Sequence, residues 1–217
     1  MLYSPPAFSV NDQNALIEAV AAARFATLVS NAEQGPVITH LPLFLAATQG
    51  PMGTLIGHVA RANPHWKMAD QTRPSIAIFH GPDAYVSPNW YPSKAETGKA
   101  VPTWNYRVIH AEGTLRIHDD PDWLRVAVSR LTDRHEAGRN DPWRLEDAPE
   151  DYIRAQLRGI VGISLEITGL KGKEKLSQNR QEPDRQGVIA GLAGEDDAGS
   201  AAICAMMQGK SIKAAGS

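Results

Sequence analysis

Between Phe25 and His118 the chain is a succession of short, apolar, β-branched segments, most of them closed by glycine or proline. "RFATLVS", "GPVITHLPLFLAA", "MGTLIGHV", "PSIAIFHG" and "DAYVSP" each have the length and residue types of a strand. Gly35-Pro36 and Gly81-Pro82 supply two of the breaks and Pro88 stops the last segment. "TWNYRVIHAEGTLRIH" reads as one long bent strand, or as two strands broken at Gly113. These segments do not alternate one-to-one with helices, which argues against a doubly wound parallel sheet. They argue for a β-barrel core with helices added at its ends.

The helices are written in their caps and stripes. Asn11 can cap a helix with Leu16, Ile17 and Val20 on one face. In "DDPDWLRVAVSRLTDRHEAG", Asp120 caps, Pro121 takes the first helical position, and Leu124, Ala127, Val128 and Leu131 form the stripe. "PEDYIRAQLR" predicts a shorter helix, "GIVGISLEITGLKG" a closing strand and "QEPDRQGVIAGLAG" one more helix. From Gly194 the chain turns small and polar. The expected organisation is one domain over residues 1–193, mainly β with α decoration (α+β), followed by a flexible tail over 194–217 with one helix at most, across "SAAICAMM".

Charge and cysteine usage remove several function classes. The net charge is -2, so binding to nucleic acid by bulk charge is not indicated, and any such contact needs a local patch or a partner. Cys204 is the only cysteine, which leaves no internal disulfide and no cysteine-based zinc site. The stretch "MLYSPPAFSVNDQN" lacks a basic region followed by an apolar run. No apolar run approaches the roughly 20 residues of a membrane span. A cytoplasmic protein without membrane contact is the expectation.

Four stretches carry candidate chemistry. In "GHVARANPHWKMAD" an apolar strand ends, Arg61 offers a planar fork of donors, and Asn63-Pro64 looks like a helix start, so the series describes an anion site. The plainer alternative is a solvated arginine beside an ordinary cap. "FHGPDAYVSPNWYPSK" gathers Tyr85, Trp90 and Tyr91 near three prolines, giving flat faces for a planar ligand. "VPTWNYRVIHAEG" sets Trp104 and Tyr106 on one strand face and Asn105 and Arg107 on the other. Aromatic clusters of this kind are more often core or subunit interface than ligand site. "KGKEKLSQNR" follows the closing strand with Lys171, Lys173, Lys175 and Arg180 beside Ser177, Gln178 and Asn179, a positive loop with neutral donors.

The seven histidines are scattered without ligand spacing, so no metal site is expected. His58 and His80, at strand ends, remain candidates for ligand contact, and either could ligate haem iron. No nucleophile elbow, phosphate-binding glycine-lysine loop or dinucleotide fingerprint is present.

Together, "GHVARANPHW", "FHGPDAYVSPNWY", "VPTWNY", "HAEG" and "KGKEKLSQNR" resemble the PaiB-type FMN-binding regulators, from Met1 to about Leu192. The resemblance implies an FMN-binding split β-barrel, related in shape to pyridoxamine phosphate oxidase, and a homodimer with FMN in the groove between subunits. It implies that Ile38, Thr39, His40 and Leu41, with Ile56, Gly57 and His58, line the flavin ring. Arg61 and Asn63 would hold the phosphate. Trp104 and Asn105, or Lys175, Ser177 and Gln178, would close the site from the second subunit. His65 stands where many relatives are expected to carry glutamine. A regulator role, with DNA as a partner, comes from the resemblance alone. The alternatives are a flavin-dependent oxidoreductase acting on a small molecule, with His40, His58 and Tyr106 as polar candidates, and a haem-binding split barrel.

Overall fold

The computed structural model describes residues 2–209. The class is α+β, as expected, built on one eight-stranded sheet. In chain order the elements are β1 (Ser9–Val10), α1 (Gln13–Ala22), β2 (Ala26–Ser30), β3 (Val37–Leu41), β4 (Phe44–Ala46) and β5 (Thr54–Ala60). Then come α2 (His65–Met68), β6 (Ser75–Val86), α3 (Pro92–Thr97), β7 (Thr103–His118), α4 (Pro121–Glu136) and α5 (Glu150–Arg158). β8 (Ile160–Lys175), α6 (Glu182–Ala193) and α7 (Ala198–Met207) complete the series. The strand order is β3-β2-β6-β7-β8-β5-β4, with β1 paired to β8. The β2–β3, β2–β6, β4–β5, β5–β8 and β1–β8 pairings are antiparallel.

Two compact units divide the chain. Of the described residues, one unit, the β3 unit, comprises Asn14–Phe79 and His110–Leu170; the other, the α7 unit, comprises 2–13, His80–Ile109 and 171–209. In the β3 unit the stripe of α4 packs as its spacing predicts. Ala127 and Leu131 meet Phe44, Ala46 and Ile56, while Leu124 meets Leu145, Ile153 and Leu157. Asp120 caps α4 by accepting from the Trp123 N–H at 2.7 Å. The Trp123 ring lies over Gly162, where an added Cβ would come within 2.2 Å of it, and stacks on His118 with centroids 3.9 Å apart. Glycine at 162 is therefore a packing requirement rather than a turn.

In the α7 unit, Val188, Ile189 and Leu192 of α6 form one core with Ala84, Val86, Tyr91 and Leu176. Ile203, Cys204 and Met207 of α7 belong to the same core. The flexible tail expected from Gly194 thus holds a buried helix. Asp197 starts it, accepting from the Ser200 N–H at 2.9 Å. The remainder of that tail, 210–217, lies outside the described residues.

One strand break appears that was not expected, and one that was expected is absent. "GPVITHLPLFLAA" divides at Pro42, which has no N–H for a ladder, into β3 and β4. Gly81-Pro82 does not divide β6: the Arg107 side chain lies over Gly81, where an added Cβ would stand 2.9 Å from the arginine's own Cβ. The "KGKEK" run is the end of β8 and not a loop.

Candidate functional site

The turn after β5 is anchored by a buried polar chain. Asn63 Nδ2 donates to Thr39 Oγ1 at 3.0 Å, and Asn63 Oδ1 accepts from the His65 N–H at 2.9 Å. His65 is 1% exposed and bridges strands: Nδ1 lies 2.9 Å from Thr39 Oγ1, and Nε2 lies 2.9 Å from Ser30 Oγ. Ser30 Oγ in turn meets Ser75 Oγ at 2.7 Å. Either neutral tautomer satisfies these contacts, because each hydroxyl can both donate and accept. In one, Thr39 accepts from Asn63 and donates to Nδ1, while Nε2–H donates to Ser30, which donates to Ser75. Burial pushes the His65 pKa below its ordinary value and so favours the neutral ring. A neutral imidazole offers one donor and one acceptor, the pair a glutamine amide can also offer. The helix expected here is a single turn, α2, and it begins after Pro64 rather than at it.

This anchoring brings the turn onto β3. Strand alternation sorts the four β3 residues expected to line a flavin ring. Ile38 (55% exposed) and His40 point outward, whereas Thr39 and Leu41 are buried. His40 pairs with Thr27 across the ladder, its Nδ1 3.0 Å from Thr27 Oγ1. β3 ends the strand order, so main-chain groups along its far side have no ladder partner among the described residues. Thr39 and Leu41 can therefore contribute backbone to a ligand but not side chains.

The β5 residues are less open than expected. Ile56 packs against α4. Gly57 lies beneath the β3–β4 connection, where an added Cβ would stand 2.7 Å from the Pro42 carbonyl oxygen and from Leu43. His58 is half-buried, and burial pushes its pKa below the ordinary value. The segment Pro42–Leu43 covers this strand, and nothing in the spacing of "TLIGHV" could reveal that.

Arg61 turns away from Asn63. Its Nε donates to the Arg158 carbonyl at 2.7 Å and its Nη2 to the Ile160 carbonyl at 2.9 Å. Both terminal nitrogens engage the Asp119 carboxylate, Nη1 at 3.0 Å. The hydrogen bond from Arg61 holds the Asp119 carboxyl below the usual carboxylate range. The two residues expected to share a phosphate thus serve different neighbours: Asn63 serves β3, and Arg61 serves the end of α5 and Asp119. Asp119 was hidden beside the capping Asp120, and 58 residues separate it from Arg61.

The remaining candidates lie in the α7 unit, where most are committed to bracing. Ser177 is the one non-glycine with positive φ among the described residues (60°), and Asn105, fully buried, holds its hydroxyl at 3.0 Å. Gln178 Oε1 accepts from the Leu176 N–H at 2.7 Å, and its Nε2 donates to the Glu174 carbonyl at 2.6 Å. Lys175 Nζ donates to Thr103 Oγ1 at 2.6 Å and to the Trp104 carbonyl. Lys173 is buried between the rings of Tyr3 and Tyr106. Of this group Trp104 alone presents a large open surface, 53% exposed, edge-on to Tyr85. It forms a wall of a recess of about 360 Å³ that Tyr106, His80 and Arg107 also line.

An edge strand with an outward isoleucine and histidine, and an anchored turn docked on its centre, sit within the fold of the flavin-type split barrels. Residues 2–169 match the family described as "Putative FMN-binding domain", and the chain belongs to that family. "Protease synthase and sporulation protein PAI 2" of Bacillus subtilis is 29% identical to it over 209 residues, covering 96% of this chain and 98% of that protein. The resemblance to PaiB-type proteins therefore extends over nearly the whole chain. Among solved structures, the FAD and heme binding protein from Mycobacterium smegmatis superposes with a TM-score of 0.57 at 17% identity, covering 86% of this chain and 80% of that one. The flavocytochrome Anf3 from Azotobacter vinelandii gives 0.55 at 14% identity, with coverages of 82% and 75%. At those identities the likeness is one of fold. Among the described residues, no helix is long and apolar enough to cross a membrane.

Proposed function

We propose that this chain binds FMN along the outward face and free edge of β3, as a homodimer, and acts as a regulator of the PaiB type. The observation that carries the reading is the Asn63–Thr39 hydrogen bond, which anchors the turn after β5 to the buried face of β3, behind the exposed side chains of Ile38 and His40. The donor set fits the cofactor. An isoalloxazine has one apolar edge and one hydrogen-bonding edge, and β3 offers isoleucine and imidazole two residues apart, about 7 Å along the strand. Unpaired main-chain groups of an edge strand suit the pyrimidine side. The phosphate end has no fork assigned to it along β3: the Arg61 side chain faces Asp119 and the end of α5, and the N–H groups of Arg61, Asn63 and His65 are already bonded within the fold. When bound, FMN supplies a redox-active ring; the protein's part is to orient it and to keep one face from water.

The homodimer rests on the same face. Thr27 and Val29 of β2 and Ile76 and Ile78 of β6 are in register and half-buried, and Ile38 stands opposite Val29. A β-branched surface of this kind suits a second copy of itself. The regulator role draws on the resemblance to PaiB-type regulators and on the relative named "Protease synthase and sporulation protein PAI 2". With a net charge of -2, it would act on DNA through a local contact or a protein partner.

The absorbance spectrum of freshly purified protein, with light scattering for mass, tests the reading. A flavin spectrum with releasable FMN and the mass of two chains is expected. A colourless monomer that takes up no FMN on titration overturns it, and a Soret band in place of the flavin bands would put haem in the site. Gel shifts with operator-length DNA, with and without FMN, test the regulator role.

A further inference from the structure

We propose that the groove between α4 and α5 binds a small organic anion, a carboxylate or phosphate ester with an apolar body, and that Asp119 takes that anion's place in its absence. The groove measures about 360 Å³, toward the small end of small-molecule sites, and lies wholly within the β3 unit. Its floor is apolar: Leu124 and Leu157 belong to the buried cluster joining the two helices, and Pro121 continues that surface. Its rim carries three guanidinium groups, Arg61, Arg154 and Arg158, against one carboxylate, Asp119.

Arg61 is set in place before any anion arrives. The carbonyls of Arg158 and Ile160 take its Nε and one proton of Nη2, which fixes the plane of the guanidinium. The outward edge of that plane is a bidentate fork, the geometry that suits carboxylate and phosphate. Asp119 occupies the fork, but its side chain is 54% exposed and that of Arg61 38%. An exposed carboxylate held this way is replaced at small cost, because an incoming carboxylate or phosphate remakes the same two bonds. Arg154 reaches Glu150 at 3.1 Å, while the Arg158 guanidinium has no hydrogen bond or ion pair among the described residues. The rim therefore holds more positive charge than Asp119 neutralises, directly above a leucine floor. An anion with a hydrocarbon body uses both features; a bare phosphate uses only the first.

Calorimetric titration of the full chain with phenyl phosphate, hexanoate, inorganic phosphate and FMN, at low salt, tests this. Phenyl phosphate or hexanoate should bind saturably and more tightly than inorganic phosphate. Asp119→Asn should tighten that binding by about tenfold, the equivalent of one charge-assisted contact no longer contested. The double variant Arg154→Ala/Arg158→Ala, which alters only exposed side chains, should weaken it by a similar factor. No saturable heat from either organic anion with wild type and with folded Asp119→Asn would leave only a crevice between helices and overturn the proposal. Tightening by Asp119→Asn confined to FMN would also overturn it, by assigning the fork to the flavin's own phosphate. Because the flavin reading is scored by FMN uptake in the wild type, the two can fail separately.

Discussion

His65 Nε2 and Ser30 Oγ stand 2.9 Å apart in a buried pocket, so a titratable ring joins the turn after β5 to β2. Burial lowers the His65 pKa in the folded protein. The sign follows from linkage. Between the folded pKa and the unfolded value of 6.5, the unfolded chain binds a proton that the native one does not. The stability from a neutral His65 is complete above about pH 6.5 and is lost as the pH falls below it. Urea midpoints measured from pH 7.5 to pH 5 should decline toward acid. His65→Gln keeps a donor and an acceptor and should flatten part of that decline, with the rest left to His58, His118 and His135, whose pKa values burial also lowers. His65→Ala removes the ring's bonds to Ser30 and Thr39 and leaves a buried cavity, and should cost about 2–3 kcal/mol at neutral pH.

Asn63 makes two contacts with one side chain, to Thr39 and to the His65 N–H. Asn63→Ala should cost about 1 kcal/mol of stability or somewhat more, as the loss of these two side-chain hydrogen bonds. Its effect on FMN uptake should be larger than that loss implies, because the turn is no longer docked on β3. Flavin titration beside a denaturation curve separates the two. Equal FMN affinity in the variant would detach this turn from the cofactor.

What the sequence made legible, and what it did not, divides along physical lines. Strands and the α4 stripe are local patterns, and Asp120-Pro121 marks a helix start within two residues, so these were readable. Asn63-Pro64 as the start of a turn was readable for the same reason, although the cap position falls on Pro64 and not on Asn63. Which side chains of β3 face outward follows from alternation, but which face is covered depends on β2 and β6. The Arg61–Asp119 pair joins the end of β5 to the residue before the α4 cap, and no local spacing encodes it. In "KLSQNR" the donors read as ligand contacts. Ser177 and Gln178 are instead bonded to Asn105 and to the Leu176 and Glu174 main chain around the positive φ of Ser177, and Lys175 to Thr103 and Trp104, commitments visible only once the backbone is seen.

Ile38 is exposed on the face assigned to the second copy. Ile38→Asp should leave the unfolding midpoint of the isolated chain within about 0.5 kcal/mol of wild type, as exposed substitutions usually do. It should shift the mass in solution from two chains to one and lower FMN occupancy with it. Light scattering that still reports two chains would move the interface elsewhere.

Gly113 lies where β7 passes close to β8: an added Cβ would stand 2.1 Å from the Glu166 carbonyl oxygen. That atom is backbone and cannot swing aside as a side chain would. Gly113→Ala should therefore destabilise by about 1–3 kcal/mol or more. Gly169→Ala, in the same unit and with nothing within 4 Å of the added carbon, should cost far less. Paired thermal unfolding of the two variants checks the contrast.

Ile203 decides whether α7 is structural. Its side chain is 0% exposed among Val188, Leu192 and Met207, although the surrounding "AGSAAICAMM" is rich in small residues and reads as a weakly held segment. If the helix is part of the core, Ile203→Ala removes buried methyl groups and leaves a cavity, which costs about 2–5 kcal/mol. A loosely attached tail would give a change too small to measure. Denaturant unfolding of Ile203→Ala, followed by the fluorescence of Trp90, which packs on the same core, separates the two outcomes. The packing predicts the larger one.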